Sequence, residues 1–305
     1  MGKKGQILMV IVWILVILTV LAVTLGHRVS MALKMSSFRR DAVECLALAK
    51  AGISRAAAEI EQDKNKYDSL LESWAGNEPL FSKIPVPGES RGFATQRVWG
   101  MIDEERKINI NTVSGEVLLV LLGRNGIPDP ARLARNILIW RGSLPDADKV
   151  YDELGYTAKG QPFGCVEELK VVRGMSGEYY EELKDSVTVY GSGEVNINTV
   201  SRETLGILCG GIAVQLSLDT GFGKSVADKI VRQREVEGFW GDIKEINIPL
   251  TTAEEQNIFN RLTELSNCVS ENFLIEASGN IGKIKKTVTA VYNKKKHLIV
   301  SWHER

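Results

Sequence analysis

From Ile7 to Leu25 the chain runs nineteen residues without a formal charge, and Thr19 and Thr24 are the only hydroxyls among them. At about 1.5 Å of rise per residue a helix of that length spans roughly 29 Å, the thickness of a bilayer's hydrocarbon core. The stretch predicts one transmembrane helix. Met1-Gly2-Lys3-Lys4-Gly5 precedes it, and Gly26-His27-Arg28 follows with no Ala-x-Ala cleavage pattern. Two readings follow: an uncleaved anchor, or a short leader cut on the cytoplasmic side before the helix. The flanking charges do not settle orientation. Arg28, Lys34, Arg39 and Arg40 behind the span outnumber Lys3 and Lys4 in front, and the positive-inside rule read alone favours the opposite sense. The expected orientation is N-terminus in the cytoplasm, because a short charged N-terminus is hard to carry across a membrane.

The helical pattern continues past the span. Leu33, Val43, Leu46, Ile53, Ala57 and Ile60 recur at near-helical spacing beside Ala42, Ala49 and Ala56, with no proline before Gln62. A helix from Ile7 to Gln62 would measure about 84 Å. Its second half fits a stem docked on a soluble domain, or a coiled-coil dimerisation segment. Residues 76–92, with Pro79, Pro85 and Pro87, form a connector. Phe93–Ile102 reads as a strand. Near the C-terminus three more strands are expected, at Phe273–Ser278, Lys285–Tyr292 and His297–Trp302, joined by turns at Gly279–Gly282 and Asn293–Lys296. A helix over Thr252–Asn267 precedes them.

Between these β segments lies an internal repeat. Ile108-Asn109-Ile110-Asn111-Thr112-Val113-Ser114 returns as Val195-Asn196-Ile197-Asn198-Thr199-Val200-Ser201. Each copy enters an apolar helix, with Thr112 or Thr199 as its expected N-cap. Each then reaches Ala-x-x-Ile with an arginine behind it (Arg141, Arg234), then an aromatic residue before an acidic helix start, Phe163 and Phe239. Two copies of one helical unit follow, about 105–190 and 191–268. The pattern is similar to helix-hairpin-helix and SAM-like modules, which brings in DNA binding as a competing function. Gly221-Phe222-Gly223-Lys224 suits phosphate contact through backbone N–H groups, whereas Pro128 removes a donor in the first copy. Residues 105–268 carry 18 Lys/Arg against 24 Asp/Glu, the opposite of a nucleic-acid footprint, so no nucleic acid is expected as a partner.

Asp146, Asp148, Asp152 and Glu153 lie in a stretch from about Gly142 to Pro162 that the second copy lacks. They could offer oxygen ligands to Ca²⁺, although without complete EF-hand spacing; a solvated acidic loop is the simpler reading. Cys45, Cys165, Cys209 and Cys268 form no C-x-x-C pair. Cys209 and Cys268 both fall in the second unit and its exit and are the candidate disulfide, with Cys165 an equal alternative partner. No nucleophile–base–orienter set is visible, so no enzyme activity is expected.

The basic leader ending in Gly5, the unbroken helix behind it, the stem, GMIDEERKININ and the second VNINT together resemble the minor pseudopilin K family of type II secretion systems. The resemblance covers essentially the whole chain. It implies an α+β fold: a long transmembrane and stem helix, and a pseudopilin antiparallel sheet (63–104 and 269–305) interrupted by a large inserted all-α domain at 105–268. It implies cleavage by a prepilin peptidase between Gly5 and Gln6, with methylation of the new N-terminus a family trait. The fifth mature position, usually glutamate in such subunits, is Val10. Implied partners are the type I and J minor pseudopilins, the major pseudopilin, the peptidase and the inner membrane, with the bulk of the chain in the periplasm. The implied role is a tip subunit that helps initiate assembly and protein export. The runner-up is a membrane-anchored DNA receptor.

Overall fold

The computed structural model describes residues 3–75, 96–147 and 149–305. Its elements run, in order, α1 (Lys3–Gln62), β1 (Gln96–Asp103), β2 (Ile108–Asn109), α2 (Gly115–Arg124), α3 (Pro130–Trp140), α4 (Gly177–Leu183), β3 (Val187–Thr188), β4 (Val195–Asn196), α5 (Arg202–Gln215), α6 (Thr220–Glu237), α7 (Ala253–Thr263), β5 (Ser266–Asn267), β6 (Asn272–Ile281), β7 (Ile284–Asn293) and β8 (Leu298–Glu304). The connector at 76–92 and the first residues of the expected strand, Phe93–Thr95, lie outside the described residues.

α1 is a single helix of 60 residues, about 90 Å long. Its apolar side chains from Ile7 to Leu25 are all exposed, and burial begins only at Cys45. From there Cys45, Ala49, Ile53, Ala56 and Ile60 form the buried stripe, at spacings of four and three that keep one face toward the sheet. The docking face therefore runs through the alanines. Leu33 and Val43, expected on it, are 66% and 67% exposed. Small residues win here because β6 crosses α1 at backbone range. A Cβ on Gly279 would sit 2.0 Å from the Cys45 carbonyl oxygen.

The sheet is antiparallel throughout, in the order β1-β6-β7-β8. Alternation puts Phe273, Ile275 and Ala277 of β6, and Val288, Ala290 and Tyr292 of β7, against Ala49, Ile53, Ala56 and Ile60 of α1. Trp74 closes this core edge-on to Phe273, centroids 5.1 Å apart. The final strands are longer than the sequence indicates. β6 continues through Gly279 and Asn280 to Ile281, so the hairpin turn shrinks to Gly282-Lys283. Likewise α7 stops at Thr263, and the remainder of the expected helix becomes the short strand β5.

The helical insert grows from one place. β1 ends at Asp103, whose Cα partner on β6 is Phe273, so the chain leaves and rejoins the sheet on adjacent strands. The insert has one continuous core built from both units, with Leu118, Leu121, Leu122 and Ile137 from the first and Leu205, Ile212, Val226 and Ile230 from the second. Glycines set how closely its helices approach. A Cβ on Gly211 of α5 would lie 2.5 Å from the Val117 Cα of α2, and one on Gly223 of α6 would lie 2.5 Å from the Cys209 carbonyl oxygen. The fold class is thus α+β: a long helix on an antiparallel sheet, with a helical domain set into it.

Candidate functional site

Each repeat folds into the same device. In the first unit β2 pairs in parallel with β3; in the second β4 pairs in parallel with β5. The Asn-x-Asn-Thr turn between strand and helix is held from three sides. Asn109 Oδ1 accepts from Asn111 N (2.9 Å), and Asn196 Oδ1 from Asn198 N (2.9 Å). Asn111 then makes a two-way bridge to the backbone of Phe163, and Asn198 makes the same bridge to Trp240. The structural counterpart of Phe163 is therefore Trp240, one residue past the Phe239 that the sequence suggested. Phe239 instead stacks on Tyr67 at 4.1 Å. Last, the Arg141 guanidinium donates to the carbonyls of Ile110 and Val113, and that of Arg234 to those of Ile197 and Val200. Burial lowers the pKa of both guanidinium groups without removing their charge. They cap otherwise unpaired carbonyls.

The helix caps are Ser114 and Ser201, two residues beyond the threonines expected in that role. Thr199 serves elsewhere, donating to Asp103. That bond belongs to the seam where the insert joins the sheet. Asp103 Oδ2 also accepts from Ser270 Oγ (2.6 Å), and its Oδ1 from Glu105 N (2.8 Å). Glu105 accepts from both Asn272 N (3.1 Å) and Asn272 Nδ2 (2.7 Å). Glu104 takes Thr188 Oγ1 and Lys107 Nζ. From the loop after α1, Asp68 accepts from Ser270 N (2.7 Å) while its carbonyl receives Asn196 Nδ2 (3.0 Å). Lys294, in the turn before β8, reaches Asp63 (3.0 Å) and Asp68 (3.2 Å). Burial raises Asp68 to about 6 against the pull of Ser270 and Lys294. Stem, sheet and both repeat units are bolted together here. Asn196, a repeat-motif residue, and Thr199, expected as a helix cap, are two of the bolts; nothing local in the sequence marks them as such.

The remaining sequence candidates separate. Gly5, Gln6 and Val10 all lie within α1, and Val10 is exposed. Asp148 lies outside the described residues, and Asp146, Asp152 and Glu153 are not gathered into a metal-like group. Asp146 caps Val150 N, and Glu153 pairs with Arg173. Among the described residues, the carboxylates that do converge are Asp63, Asp68 and Glu72, and Lys294 already fills the cationic role beside two of them. The disulfide is corrected as well: Cys209 and Cys268 are free, as are Cys45 and Cys165. Cys209 is locked at the α5–α6 contact and Cys268 is buried, and burial pushes both thiols up to about 12. The phosphate-binding glycine also has another use, since Gly223 is the α5–α6 contact itself. Around Lys224 an open pocket of about 290 Å³ holds Arg124 and Arg202 but also Glu203 and Asp228, the latter paired with Arg202 at 2.9 Å.

No family model matches the sequence, and no curated protein matches it. Solved structures do. A chain in the crystal structure of the GspK-GspI-GspJ complex from the enterotoxigenic Escherichia coli Type 2 Secretion System aligns with a TM-score of 0.66 at 16% identity. The two chains share a fold. The alignment covers 89% of this chain and 99% of that one, more than the sheet or the insert alone could supply.

Proposed function

We propose that the chain is a minor pseudopilin of a type II secretion system, resembling the K subunit. The observation that carries this reading is the combination of one membrane-length helix, a pilin-like sheet on its stem and a two-unit insert rooted between β1 and β6, matched in fold over 89% of the chain. Nineteen uncharged residues exposed on every side are at home in lipid or against the equivalent helices of neighbouring subunits. The chain sits in the inner membrane with its N-terminus cytoplasmic and its sheet and insert in the periplasm. A prepilin peptidase cuts between Gly5 and Gln6.

Within the assembly the protein occupies the tip, beside the type I and J minor pseudopilins and above the major one. A shaft subunit stacks helically on its neighbours, and a bulky insert projecting from every copy would obstruct that stacking. Val10 supports the same place. A glutamate at the fifth mature position needs the N-terminal amine of the subunit above it, and an unpaired carboxylate in the bilayer core costs on the order of 2.5–3.5 kcal/mol. A tip subunit has no such neighbour, and valine leaves no charge stranded. The DNA-receptor reading is disfavoured by the net acidic insert and by glycines committed to helix contacts. Labelling the protein on isolated pseudopili tests the proposal: signal at one end is expected, and signal along the shaft would refute tip placement.

A further inference from the structure

Asp103 and Glu105 meet at the root of the insert, where Glu105 N donates to Asp103 Oδ1 at 2.8 Å. The surroundings agree with one negative charge rather than two. Asp103 and Glu105 are 1% and 4% exposed. The groups facing them from the sheet, from the second unit and from its exit strand are neutral dipoles: Glu105 N, Thr199 Oγ1, Ser270 Oγ, Asn272 N and Asn272 Nδ2. The nearby cations are engaged with other acids, Lys107 with Glu104, and Lys294 with Asp63 and Asp68. Among the described residues neither carboxyl has a cationic partner. A second charge buried in the same place would face strong repulsion with nothing to offset it.

We propose that the root of the insert is a proton-binding site: Asp103 and Glu105 share one proton, and losing it weakens the attachment of the insert to the sheet. The donors that hold the pair come from the second unit (Thr199) and from the strand that leaves the insert (Ser270, Asn272), so the proton sits where both paths of the chain cross. Burial, and for Glu105 the neighbouring Asp103, raises both pKa values, that of Glu105 to about 8. The sign follows: the folded state holds protons that the unfolded chain gives up, so this contribution is complete at acid pH and is lost as pH rises through about 8. Asp68, raised to about 6 by burial with a smaller push from Glu72, adds the same sign at lower pH.

The test uses the full chain in detergent micelles. Infrared difference spectra at neutral pH should show a protonated carboxylic acid band that disappears in Glu105→Gln and on titration above about pH 8. In parallel, thermal midpoints between pH 6 and 9 should fall for the wild type. The fall should be much flatter for Glu105→Gln, whose amide oxygen can still accept from Asn272. Should that variant fail to fold, Asp103→Asn reads the same band from the other partner. No protonated band in the wild type at neutral pH, or a pH slope in Glu105→Gln equal to that of the wild type, would overturn the proposal.

Discussion

Gly211→Ala separates tertiary packing from helix propensity in a single methyl group. In a helix interior alanine is favoured over glycine by about 0.5–1 kcal/mol. At Gly211 the new Cβ would lie 2.3 Å from Val117 Cγ2, 2.5 Å from its Cα and 2.8 Å from its N. Two of those atoms are backbone, so no rotamer change relieves the contact, and α2 and α5 must move apart across a core holding Leu118, Leu121 and Leu208. Overpacking of this kind costs about 1–3 kcal/mol, and it outweighs the propensity gain. Gly123→Ala in α2 is the control, because nothing lies within 4 Å of its Cβ position; it should stabilise by about 0.5–1 kcal/mol. Urea unfolding of both variants, followed by far-ultraviolet circular dichroism, should give midpoints displaced in opposite directions at similar slope. If Gly211→Ala were stabilised as much as Gly123→Ala, the close approach of the two helices would be wrong.

Asn198→Ala leaves the buried N–H and carbonyl of Trp240 without partners and should cost about 1–3 kcal/mol per lost group. Asn111→Ala should act alike on the first unit, and equilibrium unfolding measures both. Glu255 is held down to about 2: burial opposes this, but donors from Lys229, Ser225 and Thr251 prevail. Its contribution is present above the ordinary glutamate value and is lost as pH falls toward 2, so Glu255→Gln should reduce the pH dependence of unfolding between about pH 4.5 and 2. Replacing Gly5 with a bulky residue should leave an unprocessed protein in cells with an active prepilin peptidase. N-terminal sequencing checks this, and a wild-type chain that still begins at Met1 or Gly2 would sink the cleavage reading.

The span, the stem and the repeat were legible because each follows from a local period or an exact recurrence. Nineteen uncharged residues admit few conformations, and N-I-N-T-V-S twice over marks two units whatever their packing. On the docking face of α1, Ala49, Ile53, Ala56 and Ile60 lie where the spacing puts them, whereas Leu33 and Val43 do not, because the sheet begins only near Cys45. Thr112 and Thr199 are the first hydroxyls in the motif, but the helices begin only at Gly115 and Arg202, so the capping duty falls to Ser114 and Ser201. The seam was hidden for a different reason. Asp68, Asp103, Asn196 and Ser270 are scattered over two hundred positions, and their pairing depends on where the sheet brings the ends of the insert.

The adjacency of Asp103 and Phe273 also bears on the order of folding. Until the insert is structured, β1 and β6 are the ends of a loop of about 170 residues, and closing such a loop costs about 4–5 kcal/mol in chain entropy beyond a constant term. Once β2 has paired with β3, and β4 with β5, the short link between β3 and β4 holds the two ends of the insert near one another. The loop that remains to be closed is then only a few residues at each side. A sequence that interrupts a sheet with so long a detour thus favours folding the detour first, with the four-stranded sheet as the last part to assemble.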